Sequence, residues 1–291
     1  ASVAGDPRTV GTQLDDQLIE LKVYDLVNRD PELMRSPEGD SDLLNPMRGP
    51  LSSPPPLPPL SHVVATSYNG VVLLTGAGRG FCAGLDLRDP TLLMGRNDPE
   101  GPGVPQSGMA LQQRIASLIP KMRRLRVPII AAVNGPATGG GLALALGSDV
   151  RIAAETARFG VAFIRIGLSA CDIGVSWALP RLVGASRAHE LMLTGRVFDS
   201  AEAERIGLVT SVVPDDALIE AALETARLIA ANSPFGVWMT KEVMWSNLET
   251  SSQMAAIDLE NRTQILSSFT EDVGEAVGAF FGKRPPHYRN R

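Results

Sequence analysis

Apolar residues fall into three patterns along the chain. Between Gly70 and about Pro214 they form short consecutive runs, VVLLTGAG (71–78) and VPIIAAVNG (127–135), followed by VRIAAE (150–155) and LVTSVVP (208–214). A strand that is apolar at successive rather than alternate positions is buried on both faces. Helix-like stretches, Gly108–Leu125 and Gly139–Leu146, lie between these runs. Such alternation predicts an α/β core with crossover connections. From Asp215 onward the spacing is helical: Leu218, Ala222, Ala226 and Ile229 share one face of DDALIEAALETARLIAANSP, with Asp215 or Asp216 as N-cap and a stop before Pro234. Phe235–Leu248, Ser252–Ser268 and Glu271–Phe281 read as three further helices, their Met, Trp and Phe content suggesting buried faces or contact with another subunit.

The third pattern is at the start. Residues 1–66 show no regular spacing, and half of the fourteen residues from Pro46 to Pro59 are proline. That run cannot enter a central strand or a helix interior, and it favours an extended polyproline arm. The chain therefore divides into a Pro-rich N-terminal segment (1–66), an α/β core (67–214) and a C-terminal helical region (215–291).

Composition narrows the partners. A net charge of -5 argues against nucleic acid. The longest apolar run, Leu142–Leu146, is too short to span a bilayer. No basic region followed by an apolar stretch opens the chain, and the two cysteines, Cys82 and Cys171, have no metal-ligand spacing. The expectation is a cytoplasmic protein with neither membrane nor nucleic acid as partner.

Two glycine-rich segments carry the candidate chemistry: GAGRGFCAGLDL (76–87) and NGPATGGGLALALGSDVRIA (134–153). Each places glycines between a predicted strand and a predicted helix, where backbone N–H groups can bind an anion or a developing oxyanion. Neither matches the dinucleotide fingerprint or a phosphate loop ending in Lys-Ser/Thr.

Taken with ARFGVAFIRIGL, LPRLVGASRAHELMLTGRVFDSAEAERIGLVTSVVP and EAVGAFFGKRPP, these segments resemble the crotonase superfamily of enoyl-CoA hydratases and isomerases, over roughly Val71 to Pro286. The resemblance implies a spiral of β-β-α units with a C-terminal helical region that builds homotrimers, often paired into hexamers. It implies an acyl-CoA thioester as substrate, coenzyme A entering as part of it, with no separate cofactor and no metal. Two backbone N–H groups would hold the thioester oxyanion, those of Leu85, after the AG of FCAGL, and Gly140, the middle glycine of the triplet. Ala83, Leu85 and Gly140 would line the thioester. Phe280 and Lys283 in GAFFGKRPP match positions that pack on adenine and meet phosphate, often from a neighbouring subunit; Lys283 also reads as an exposed solubilising charge.

The same resemblance locates the acids of a hydratase two residues after the glycine triplet and at the last position of the FGVAF segment. Here those positions hold Ala143 and Phe163. Neither side chain can carry a proton, so syn-hydration by a glutamate pair is not available. Asp172 in CDIGVSW matches an aspartate of dienoyl-CoA isomerases and 4-chlorobenzoyl-CoA dehalogenases. The histidine that assists a dehalogenase has no counterpart, because His62, His189 and His287 fall outside the region between the glycine turns. Asp172 reads either as the acid-base group or as the N-cap of a helix starting near Ile173–Gly174.

Cys82 and Cys171 have no adjacent base and read as small packing residues. Asp149 and Arg151 read as structural, His189 as part of an amphipathic helix. VNRDPELM faintly resembles a turn that the superfamily has early in its chain, and the proline run stands where a helix is expected. Two functions follow: an acyl-CoA-processing enzyme with its oxyanion hole at Leu85 and Gly140 and Asp172 as acid-base group, or a non-catalytic acyl-CoA-binding protein that keeps the fold. An assembly protein built on the C-terminal helices is the third reading.

Overall fold

A computed structural model describes residues 63–68, 70–85 and 104–291. The proline run, VNRDPELM, His62 and the segment 86–103 lie outside them.

Strand β1 (Val63–Tyr68) turns at Gly70 and pairs antiparallel with β2 (Val71–Gly76). It crosses the boundary placed at residue 66, and its alternation of buried Val63 and Ala65 with exposed neighbours is that of a half-covered edge strand. Helix α1 (Val104–Ala116) is followed by α2 (Leu118–Arg124). One continuous helix was expected from Gly108 to Leu125; Pro120, which has no N–H for the Ala116 carbonyl, accounts for the break at Ser117. Strands β3 (Ile129–Val133) and β4 (Pro136–Thr138) lead into α3 (Gly140–Gly147). Strands β5 (Val150–Ala154) and β6 (Arg158–Gly160) lead through a 3₁₀ turn, Ala162–Ile166, to α4 (Val175–Val183) and α5 (Ala185–Thr194). Then come β7 (Val197–Asp199), α6 (Ser200–Arg205) and β8 (Ser211–Val213).

The main sheet has the order β1-β2-β3-β5-β8, parallel from β2 onward. A second sheet of three short strands has the order β4-β6-β7. Its strands are three residues each, too short for periodicity to reveal.

Both faces of the main sheet are covered, which explains its consecutive apolar runs. Val72, Leu74, Ala131 and Val133 face the helices of the α/β core. Val71, Leu73, Ile130, Ala132 and Ile152 face α7 (Leu218–Ala230), whose Leu218, Ala222 and Ala226 are buried as the helical spacing predicted. Neither Asp215 nor Asp216 caps that helix. They form a 3₁₀ turn ahead of it, and Asp215 accepts a bond from the Thr156 hydroxyl.

The C-terminal helices α8 (Pro234–Asn247), α9 (Gln253–Ser268) and α10 (Glu271–Phe281) match the predicted spans closely. One polar staple fastens α8 to the core. The Asp149 carboxylate accepts from the Ile129 N–H at 2.7 Å, the Trp245 indole at 2.6 Å and the Lys241 ammonium at 2.9 Å. Lys241 also donates to the Met122 and Val127 carbonyls at 3.2 and 2.9 Å. Burial pushes the Lys241 pKa down, and Asp149 opposes that shift. Beside the staple, the Arg123 guanidinium lies 4.3 Å from the Trp177 ring centroid and 4.2 Å from that of Trp245. Beyond it α9 has no buried residue, and Phe269, Phe280 and Phe281 are 84%, 78% and 79% exposed.

Replacing one partner of a buried ion pair strands the other. Lys241→Met should lower stability by about 3 kcal/mol, seen as a fall in the urea midpoint. The double variant Lys241→Met, Asp149→Asn should recover part of that loss, because the stranded charge is gone; equal midpoints for wild type and Lys241→Met would show that the staple carries no load.

Candidate active site

The two glycine segments come together by direct backbone contact. Residues 80–82 run alongside β4: Phe81 and Cys82 donate to the Pro136 carbonyl, each at 3.0 Å, and Thr138 donates to the Cys82 carbonyl at 3.0 Å. Helix α3 then starts against the same segment. A Cβ built on Gly141 would lie 1.9 Å from the Cys82 carbonyl oxygen, so no other residue fits there. Gly84, at φ +94°, would place a Cβ 3.0 Å from the Gly140 nitrogen. A Cβ on Gly140 itself would meet the Gly84 Cα at 3.4 Å, a tight contact but not an impossible one. The steric constraint thus falls on Gly84 and Gly141 more than on Gly140, the expected donor.

Asn134 locks the first turn. Its side-chain oxygen accepts from the Gly76 N–H at 2.9 Å, and its amide donates to the Gly76 and Gly78 carbonyls at 3.1 and 2.9 Å. Neither the Leu85 nor the Gly140 N–H meets an acceptor among the described residues. Gly140 is the first residue of α3, where N–H groups are left over and the helix dipole is positive. Leu85 and Ala83 are exposed, and the Ala83 carbonyl accepts a long bond, 3.5 Å, from the Thr138 hydroxyl.

Cys82 is buried, and its Sγ accepts from the Gly84 N–H at 3.4 Å. Burial raises the thiol pKa, with that bond opposing the shift. It is a packing residue, as expected. Ala143 is buried on α3, and the Phe163 ring lies 3.6 Å from where a Gly139 Cβ would be. Both are buried and apolar.

Asp172 does not cap a helix. Helix α4 starts at Val175, with Gly174 preceding it. The Asp172 carbonyl accepts from the Val175 N–H at 2.8 Å, and its carboxylate Oδ1 accepts from the Ile173 N–H at 2.8 Å. Ile173 stands at φ +46°, a left-handed conformation that costs a β-branched residue about 1–2 kcal/mol. Its Cδ1 lies 3.8 Å from the position of a Gly140 Cβ, so the Asp172 turn packs directly on the start of α3. The second partner of Oδ1 is the amide of Gln112 on α1, a residue the sequence reading passed over. No motif marks Gln112; the pairing joins residues sixty positions apart.

Other expected residues lie elsewhere. Phe280, next to last in α10, has its ring against Phe281, and Lys283 follows the helix at φ +48°. Neither backbone is hydrogen-bonded to the glycine turns among the described residues. Cys171 is exposed. Exposed His189 binds the Ala185 carbonyl at 2.8 Å. Asp149 and Arg151 are structural, Arg151 donating to the Leu208 and Ser148 carbonyls at 2.8 and 2.7 Å. A cavity of about 660 Å³, bordered by Leu146, Trp177, Arg181, Met244 and Trp245, opens near the far end of α3 and does not touch Leu85, Gly140 or Asp172. Lys241 and Asp149, which line it, already have partners. Among the described residues there is no helix long and apolar enough to cross a membrane and no group of three or more potential metal ligands.

Known proteins are similar to this chain in sequence and fold. The sequence pattern of the Enoyl-CoA hydratase/isomerase family matches residues 62–291. The Mycobacterium bovis protein named probable enoyl-CoA hydratase echA12 is 42% identical over 233 residues, 78% of this chain and 81% of its own. The 1,2-epoxyphenylacetyl-CoA isomerase of Escherichia coli is 40% identical over 220 residues, 76% of this chain and 81% of its own. The solved structure of an enoyl-CoA hydratase from Bacillus anthracis superposes with a TM-score of 0.70 at 29% identity, covering 79% of this chain and 100% of that one. The fold, the pair of glycine turns and the match across nearly the whole described chain lead to one assignment: this protein belongs to the enoyl-CoA hydratase/isomerase family, within the crotonase superfamily.

Proposed function

We propose that the chain is an acyl-CoA isomerase that holds the thioester oxygen between the Leu85 and Gly140 N–H groups and moves one proton with Asp172. The observation that carries this reading is the packing of the Asp172 turn, through Ile173, on the helix start that presents the Gly140 N–H. Apolar Ala143 and Phe163 occupy the positions where a hydratase carries glutamates, which leaves Asp172 as the proton carrier. An isomerase among the relatives, acting on an epoxyphenylacetyl-CoA, supports the same class.

With a 3-enoyl thioester the step balances as follows. The Asp172 carboxylate takes a proton from Cα. The C–H electron pair moves into a dienolate whose oxygen carries the negative charge, held by the two N–H groups. The Asp172 acid then returns the proton to Cγ, the double bond moves from Cβ=Cγ to Cα=Cβ, and the carboxylate is restored. Water takes no part, and no cofactor is needed beyond the coenzyme A of the substrate.

The family fold supports two further elements. The β-β-α succession, met three times before β7, fits the proposed spiral. The exposed apolar residues of α9 and α10 fit a homotrimer or hexamer, in which Phe280 and Lys283 would reach a neighbour's coenzyme A. Two unpaired cysteines suit a cytoplasmic setting. The second reading, a binding protein without turnover, draws on Ala143 and Phe163.

Asp172→Asn keeps the acceptor for both donors but cannot take a proton. Turnover of a 3-enoyl-CoA, followed by mass spectrometry, should fall roughly 10²–10⁴-fold with thioester binding unchanged. Equal turnover would remove Asp172 from the mechanism, and binding without turnover in the wild type would favour the second reading. Gly140→Pro removes one oxyanion donor at a first-helical position that accepts proline. Its kcat should fall roughly 10²–10³-fold, while Gly140→Ala, which keeps the N–H, loses far less. Phe280→Asp with Phe281→Asp should reduce the assembly to monomers in sedimentation; an unchanged mass would place the interface elsewhere.

A further inference from the structure

The Asp172 carboxylate is held asymmetrically. Among the described residues its donors are the Gln112 side-chain amide and the Ile173 N–H, and both go to Oδ1. Oδ2 accepts from none of the described residues. One donor belongs to the aspartate's own turn. The other arrives from α1, sixty residues earlier in the chain. Gln112 is exposed, so water could satisfy its amide equally well, and the pairing adds little to stability. Its consequence is orientation. A carboxylate with both donors on one oxygen is fixed in rotation, with its second oxygen free to face a reactant.

Among the described residues, the turn itself carries the exposed Cys171 thiol, and α1 carries Arg114 two residues after Gln112. Glutamine does not titrate, so it donates a hydrogen bond to the carboxylate at every working pH.

Resting on the reading of Asp172 as proton carrier, we propose that Gln112 is the positioning residue of this site: it clamps Oδ1 together with the Ile173 N–H and leaves Oδ2 to take the proton from Cα and return it to Cγ. Ile173 then has a role in the reaction. Its left-handed backbone aims the N–H at Oδ1 while its side chain rests on Gly140, so the carboxylate and the oxyanion donor are set by one residue.

The test is kcat and KM measured separately with a 3-enoyl-CoA thioester for wild type, Gln112→Leu, Gln112→Glu and Asp172→Asn. Gln112→Leu removes the donor from an exposed position and should leave the unfolding midpoint unchanged. Its kcat should fall about tenfold with little change in KM. Gln112→Glu puts a carboxylate where the donor stood and should lower kcat at least as far, again with little change in KM. A Gln112→Leu kcat equal to that of wild type, while Asp172→Asn is inactive, overturns the positioning role and leaves the site reading intact. Activity retained by Asp172→Asn, or absent in the wild type, overturns both.

Discussion

The approach of α3 to the Cys82 segment constrains everything around the candidate site. Gly141 has no room for a Cβ against the Cys82 carbonyl, and Gly84 has almost none against the Gly140 nitrogen. Backbone packed on backbone at this distance sets the separation of the Leu85 and Gly140 N–H groups with little help from side chains. Dipoles fixed in this way need no reorganisation when charge develops between them, which makes them effective in the proposed step. It also explains why the side chain at 85 is free to be leucine and exposed.

Two supports hold that contact in place. Asn134 closes the first glycine turn with bonds to Gly76 and Gly78, and it sits at the end of β3, two residues before β4 begins. The same side chain therefore ties the first glycine segment to the strand pair that launches α3. At the other end of α3, Asp149 fastens β3, α8 and the loop after α2 through Ile129, Trp245 and Lys241. Helix α3 is thus pinned at its start by glycine contact and secured near its end by a buried ion pair.

Much of the core was legible because its strands are buried on both faces. VVLLTG and IIAAV are apolar at every position that the sheet and α7 jointly cover, and the C-terminal helices announced themselves by spacing and by flanking Pro and Ser. The three-residue strands β4, β6 and β7 were not legible, because so few residues have no period to display. β1 was merged with the irregular N-terminal texture, since an edge strand with one covered face carries a weak apolar signal. Within the site, the glycine turns could be read from sequence, but which glycine is sterically indispensable could not: that depends on the Cys82 carbonyl, brought in from another element. Gln112 was invisible for the same reason, an ordinary polar residue on a helix whose significance comes from what α1 packs beside.

The proposed reaction turns on the acid inventory. Hydration of an enoyl thioester must activate a water molecule and also deliver a proton to the adjacent carbon, a division of labour that two separately placed carboxylates perform well. Isomerisation asks less. The proton leaves one carbon and returns to another of the same substrate, so one carboxylate that alternates between base and acid completes the cycle without a partner. That economy suits the proposed site, in which Ala143 and Phe163 are buried and carry no acid. In the proposed step Asp172 alone would move the proton between two carbons of the substrate, and the second acid that hydration calls for would have no counterpart at either position.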